Sequence, residues 1–372
     1  MEATAINSAV HEDAVARMRR LQSERRAKGG DVMMNVLSAY FTTPRDRLLE
    51  AELDNLIDAF LLSQDALEGD ANRRVGRLRE GRALTVIGES GTGKSRSLDR
   101  LFLKRAEFAG YGEPNGDGML ISVTAPSPCT LRLLGMSVLA ALGYETAREL
   151  KENVVWDLVH HQLELRGVRF LHIDELQHVL QSRNQLEITK VQDTLKGLMQ
   201  HRQWPVWLIL SGRPNIAAML SSDEQVWRRN RNVVFEDLTL ERDAGLVRRL
   251  ITVYGMEKGG LDIGNLATDE FIARLLHASI LRFGIAIELI QDAVRHALLL
   301  EATTLAVEHF AAAYASRTGC PPDRNIFLVA QDWHLIDPRE GLQRKDPADI
   351  VVPDEKTKET KKTKAPRDVR NK

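Results

Sequence analysis

The stretch Ala83-Leu-Thr-Val-Ile-Gly-Glu-Ser-Gly-Thr-Gly-Lys-Ser95 decides how the rest of the chain is read. Ala83 to Ile87 is a short apolar run of the kind that forms a buried strand. The residues that follow, Gly88, Glu89, Ser90, Gly91, Thr92, Gly93, Lys94 and Ser95, match the phosphate-loop pattern G-x-x-x-x-G-K-S. The glycines let backbone N–H groups curve around phosphate oxygens where larger side chains would obstruct them. A helix beginning near Lys94 points the positive end of its dipole at the same anion. Lys94 is expected to reach the β- and γ-phosphates of ATP, and the Ser95 hydroxyl to ligate Mg²⁺.

Further along, Phe170-Leu-His-Ile-Asp-Glu175 is an apolar run ending in two carboxylates. Asp174 is expected beside the Mg²⁺ through water, and Glu175 to polarise the water that attacks the γ-phosphate. The second carboxylate has a task only if water attacks, so the pair points to an ATPase rather than to a protein that only binds nucleotide.

Around these two stretches, apolar runs alternate with helical patterns. Further strands are expected at Met119–Val123, Val206–Leu210 and Val233–Phe235. Helices are expected at Thr130–Leu142, Val154–Arg166 and Glu187–His201, with the phosphate-loop helix reaching Phe108. Ahead of them, Leu48, Leu49, Leu53, Leu56, Ile57 and Phe60 recur at helical spacing. Strands separated by helices imply an α/β fold with a mostly parallel sheet covered on both faces. From about Glu241 the pattern is helical only. The expected layout is an Arg-rich extension over 1–42 ending its polar run at Lys28-Gly29-Gly30, a P-loop core over 43–240 and a helical lid over 241–318. A C-terminal extension over 319–353 and a basic tail over 354–372 follow, the tail being too polar to offset its ordering entropy.

The bulk properties fit a globular protein: 372 residues, 43% hydrophobic, 28% charged, net charge −1. Cys129 and Cys320 stand far apart in no metal-ligand spacing, which suits a reducing cytoplasm. The opening residues lack the apolar core of a secretory leader, and no apolar run is long enough to cross a bilayer. The charge balance excludes a globally basic surface and leaves room only for local basic patches.

With these parts placed, the chain resembles the AAA+ group of P-loop ATPases. In that group a polar residue at the end of the fourth strand senses the γ-phosphate, a position that Ser211 fits first and Arg213 next. An arginine ahead of the fifth strand reaches the neighbouring subunit's nucleotide. Arg228, Arg229 and Arg231 compete for that role, Arg229 being the best placed. A lid arginine touches the phosphates, and Arg282 in Ile280-Leu-Arg-Phe-Gly284 fits it.

Within AAA+, the chain from about Tyr40 to Phe327 resembles the TniB/TnsC-type transposition ATPases. The resemblance rests on Phe41-Thr-Thr-Pro-Arg45, Ile87–Ser95, Ser127-Pro-Cys-Thr130 with Ala141-Leu-Gly143, Ile173-Asp-Glu-Leu-Gln-His-Val-Leu180, Asp223-x-Gln225 with Arg229, and Asn325-Ile-Phe327. Ser211-Gly-Arg213 departs from the Gly-Thr-like ending of the family, and Asn230 stands where it has an aromatic. His178 is given no catalytic role. The resemblance implies a chain that self-associates with ATP into a ring or filament on double-stranded DNA. It also implies recruitment of a DDE-type transposase, with a target-selector protein as a further partner. Lys104, Arg105, the Arg73–Arg82 cluster and the tail are the basic segments available for DNA. An ATP-switched signalling or defence scaffold, and a replication-initiator or helicase-loader-like ATPase, are the other readings.

Overall fold

Five parallel strands make one sheet, β1 (Ala83–Gly88), β2 (Leu120–Thr124), β3 (Phe170–Asp174), β4 (Trp207–Gly212) and β5 (Asn230–Phe235), in the order β2-β3-β4-β1-β5. This is the arrangement of a computed structural model, which describes residues 14–18, 24–68, 80–113, 118–144, 150–181, 185–222 and 224–339. β1 and β4 are buried at every position, as expected of central strands covered on both faces. The register pairs Ala83 with Leu208 on one side and with Asn230 on the other, so the strands' carboxyl ends emerge along one edge. Loops at that edge of an open parallel sheet form its ligand crevice.

Helices α1 (Glu24–Ser38), α2 (Pro44–Glu68) and α3 (Lys94–Lys104) precede β2; α4 (Leu131–Ala141) and α5 (Glu152–Leu165) lead to β3. α6 (Gln185–Gln200) leads to β4, and α7 (Asn215–Ser221) and the short α8 (Glu224–Trp227) lead to β5. One face of the sheet packs on α4, α5 and α6 through Leu134, Val138, Val159, Leu163, Leu195 and Met199. The other packs on α2 and α3 through Leu53, Phe60, Leu98 and Phe102. Phe60 meets Trp207 and Phe170 edge-on, with ring centroids 5.0 and 5.3 Å apart, so the apolar stripe foreseen on α2 covers the sheet there, except for Leu48, which is exposed.

The helical segment expected to form a lid consists of α9 (Leu240–Ile251), a wide π turn over Thr252–Lys258, α10 (Asp269–Ala278), α11 (Phe283–Leu299) and α12 (Val307–Thr318). Thr239 and Thr268 cap α9 and α10, each accepting a backbone N–H at 3.3 Å, so side-chain oxygens take up donors orphaned at both helix starts. The lid has its own core, and two segments expected outside it belong to that core. α1 runs through Gly29 and Gly30, beyond the end of the polar run, and its Val36 is fully buried against the lid. Gln291 of α11 donates to the Val36 carbonyl at 3.3 Å. After α12, Ile326 and Phe327 enter the same core, and the Arg274 guanidinium donates to the carbonyls of Ile326 (2.8 Å) and Val329 (2.6 Å). The basic tail, most of the Arg73–Arg82 cluster and Asp223 lie outside the described residues. Among the described residues, no helix is long and apolar enough to cross a membrane.

Candidate nucleotide-binding site

The loop after β1 is shaped by its glycines. A Cβ on Gly88 would stand 2.7 Å from the Phe235 carbonyl oxygen and 2.9 Å from Thr92 Oγ1. Gly91 and Gly93 sit at φ 81° and 97°, a left-handed backbone that side chains disfavour. Gly93 offers α3 no side-chain cap, so the first N–H groups of that helix face the loop, where an anion would satisfy them. Ser90 and Gly91 line a cavity between α3 and the lid, while the Thr92 hydroxyl donates to the Glu89 carbonyl at 2.8 Å and closes the turn.

Lys94 is 6% exposed, and its Nζ donates to the carbonyls of Gly88 (2.7 Å) and Glu89 (3.0 Å). Burial lowers its ammonium from the ordinary lysine value; the carboxylates of Glu175, Asp174 and Glu89 oppose that shift, and the charge of Arg213 adds to it. Both carboxylates expected from the sequence therefore act on the lysine of the loop, as does Arg213.

Asp174 ends β3 facing α3. The Ser95 hydroxyl donates to its Oδ2 at 2.7 Å, the Ser211 hydroxyl to its Oδ1 at 2.5 Å, and the Glu175 backbone N–H to Oδ1 at 2.9 Å. Burial alone would raise this carboxyl, but the hydrogen bonds from Ser211 and Ser95 outweigh it and hold the group below the usual carboxylate range. Ser95 and Asp174 thus bring a hydroxyl and an ionised carboxylate together. Two hard oxygen ligands beside a phosphate cradle suit Mg²⁺, which takes one or two protein ligands and completes its shell from phosphates and water.

Glu175 has φ 55°, so the backbone is left-handed at the residue expected to act on water. Its carboxylate accepts from Gln177 Nε2, and Gln177 Oε1 accepts the Arg213 backbone N–H at 3.1 Å. Gln177 therefore ties Glu175 to the exit of β4. Gly212 makes room for it, since a Cβ there would stand 2.5 Å from Gln177 Oε1. His178 donates its Nδ1–H to the Ala125 carbonyl at 2.9 Å and turns Nε2 toward Glu175, 3.9 Å away.

Ser211 lies within β4 and is fully buried; its hydroxyl is directed at Asp174, so it stands behind that carboxylate rather than open to the loop. His172, two residues before Asp174, is buried between Ser122 and Ser211. Burial pulls its imidazole down from 6.5 to about 4. Between those values the unfolded chain takes up a proton that the folded chain refuses, so stability falls as pH drops across the window and is unaffected above it. Urea unfolding across this range should show the wild type losing about 3 kcal/mol more than His172→Gln. Equal losses would contradict it.

The lid meets the loop directly. Gly284 at the start of α11 donates its N–H to the Gly91 carbonyl at 2.8 Å, and a Cβ there would stand 2.6 Å from that oxygen. Arg282 is 7% exposed, bonded to Asp237, with its guanidinium 3.9 Å from the Glu89 carboxylate. Beside the loop, a cavity of about 260 Å³ runs between α3 and the lid, walled by Tyr40, Phe41, Tyr254, Phe283 and Ile287 and ending at Lys94, Ser95 and Glu175. Its apolar walls with one polar end suit a flat base joined to a polyphosphate. Tyr40 is fixed there by bonds to Asp46 and to Ser97 (2.9 Å).

Arg228 and Arg229 ahead of β5, and Arg231 within it, are not part of this cluster. Asn230 pairs with Ala83 whereas Phe235 pairs with Gly88, so Arg229 sits one strand length, roughly 17 Å, from the loop of its own chain. Its guanidinium pairs with Glu80 and is 18% exposed; Arg228, 3.6 Å from Glu224, is 48% exposed, and Arg231 is exposed. Of the basic residues offered for DNA, Lys104 is exposed and Arg105 is paired with Asp54. Sequence reasoning missed Gln177, His172 and Gly284. Only Gln177 had a local signal, an amide two residues beyond the carboxylate pair.

Residues 77–220 match the family described as AAA domain. Cdc6p from Pyrobaculum aerophilum is a similar solved structure, with 14% identity and a TM-score of 0.53, covering 75% of this chain and 69% of that one. The Aeropyrum pernix ORC1 protein, solved in complex with DNA, is another, with 19% identity and a TM-score of 0.50, covering 78% of this chain and 70% of that one. No curated protein matches the chain. At these identities the likeness shows the fold, a five-stranded parallel sheet flanked by helices with its phosphate loop after β1 in the AAA+ P-loop NTPase arrangement, and residues 77–220 are similar to the AAA domain.

Proposed function

We propose that this chain binds ATP with Mg²⁺ at Gly88–Ser95 and hydrolyses it, and that it does so as an assembly on duplex DNA that recruits a DDE-type transposase. The observation carrying the first part is the convergence on one site of Ser95, Asp174, Glu175 and Lys94, from the two stretches that the sequence singled out. Mg²⁺ would be held by Ser95 and Asp174 and would offset phosphate charge, and Lys94 would turn from the loop carbonyls to the phosphates. Arg282 approaches them from the lid. Glu175, held by Gln177, orients the attacking water and draws its proton. Tyr40, Tyr254 and Ile287 enclose the base and exclude water from it.

The second part rests on the resemblance to TniB/TnsC-type ATPases and on the position of Arg228, Arg229 and Arg231. These lie too far from their own loop to serve it and at an edge a neighbour could meet. Fluorescence anisotropy of labelled duplex with purified protein and a non-hydrolysable ATP analogue tests this part. Binding should require the nucleotide and weaken steeply as salt rises, because phosphate contacts release counterions. Equal affinity with and without nucleotide, or none at low salt, would remove the DNA-assembly reading and leave an ATP-switched scaffold.

A further inference from the structure

Four side chains from three adjacent strands make an unbroken line of hydrogen bonds that ends on Asp174. Ser122 and His172 stand opposite each other in the β2–β3 register, with Ser122 Oγ 2.7 Å from His172 Nδ1. His172 Nε2 lies 2.8 Å from Ser211 Oγ on β4, and Ser211 Oγ lies 2.5 Å from Asp174 Oδ1. Across the carboxylate, Oδ2 accepts from Ser95 at 2.7 Å.

The direction of every proton in the line follows from its charged end. An ionised carboxylate can only accept, so Ser211 directs its proton at Asp174 and its oxygen must accept from His172. The neutral imidazole then carries its proton on Nε2 and presents a lone pair at Nδ1, which leaves Ser122 as the donor. The order is Ser122 to His172 to Ser211 to Asp174. A serine hydroxyl has three staggered positions, and the bond from Nε2 selects the one that faces Oδ1. With Oδ1 fixed, the carboxylate plane is fixed, and Oδ2 is held toward Ser95.

We propose that His172 is a positioning residue for the divalent cation: acting through Ser211, it sets the orientation of Asp174 and with it the affinity of the Ser95–Asp174 pair for Mg²⁺. This rests on the nucleotide-site reading above. A purely packing role is the competing account, since the Phe102 ring meets the imidazole edge-on at 5.3 Å and would meet a phenyl ring equally well. The two accounts separate by substitution. His172→Phe keeps the ring and removes both hydrogen bonds, while His172→Gln gives up the ring and returns an N–H near the place of Nε2.

The test follows binding of a fluorescent N-methylanthraniloyl ATP to the full chain, titrated with Mg²⁺ and repeated in EDTA, with melting temperatures taken alongside. Outer-shell partners of metal ligands tune affinity by about 10- to 100-fold, so His172→Phe should raise the half-saturating Mg²⁺ concentration about tenfold. Its metal-free nucleotide binding should stay within about twofold of wild type, and His172→Gln should recover most of the Mg²⁺ shift. Should His172→Phe fail to fold, Ser122→Ala carries the test with a shift in the same direction of about twofold. The proposal is overturned if the folded variants share the wild-type Mg²⁺ midpoint, if metal-free binding falls as far as Mg²⁺-dependent binding, or if Gln behaves like Phe. If the wild type retains no nucleotide in either condition, the nucleotide-site reading fails and takes this one with it.

Discussion

Replacing Glu175 with Gln is expected to lower ATP turnover by about 10²- to 10⁴-fold while ATP binding is retained. The amide has the size of the carboxylate and can still accept from Gln177, so the left-handed turn at φ 55° keeps its support. It cannot take a proton from water. Its loss also removes one of the three carboxylates whose field supports the buried Lys94 charge, so binding should change modestly rather than vanish. Steady-state phosphate release and equilibrium nucleotide binding on the same preparation separate the two effects. Turnover left intact, or lost together with binding, would count against Glu175 as the group that acts on water.

The second large effect concerns Arg229. A trans-acting arginine contributes about 10³- to 10⁵-fold to turnover in related NTPases, so Arg229→Ala alone should be nearly inactive. The geometry makes the stronger prediction. Because Arg229 is a strand length from its own loop, a site needs Glu175 from one chain and Arg229 from the next. Equal mixing of Arg229→Ala with Glu175→Gln should therefore restore roughly a quarter of wild-type turnover, the fraction of head-to-tail contacts that join two intact partners. No recovery would sink the trans assignment. The guanidinium is paired with Glu80 in the single chain, so engaging a neighbour requires it to exchange that partner. Arg228, half-exposed on the same turn, is the alternative, and recovery from Arg228→Ala in the same mixture would move the role there.

The nucleotide loop and the β3 carboxylates were readable because each depends on neighbours in sequence: a strand, a tight turn, a helix start. β1, β3 and β4 were apparent for the same reason, as central strands are apolar throughout. β5 was recognised only from Val233. Its first half, Asn230-Arg-Asn232, looks like loop, yet Asn230 is held in the sheet by the Thr85 hydroxyl at 2.7 Å. An edge strand has one open side and tolerates polar residues there. α1 was legible only as a polar, Arg-rich extension. Two adjacent glycines weaken a helix by about 1 kcal/mol each, which in isolation ends one, but burial of Val36 against the lid outweighs that local preference.

The site itself was legible as chemistry and not as geometry. Nothing near Ser211 in sequence says that its hydroxyl turns to Asp174, because that depends on the pairing of β3 with β4. Gly284 looks like an ordinary helix-start glycine until the Gly91 carbonyl is found against it. The roles of His172 and Gln177 likewise exist only once the strands are side by side.

Nucleotide binding at the Gly88–Ser95 loop is tested most directly by equilibrium titration of Mg·ATP into the wild-type chain and into Lys94→Ala. The wild type should bind with a single site per chain. Lys94→Ala, which removes a buried cation aimed at the phosphates and leaves the apolar base cavity intact, should bind at least about 100-fold more weakly, a loss of about 3 kcal/mol. Equal affinities, or no binding by a folded wild-type chain, would contradict it.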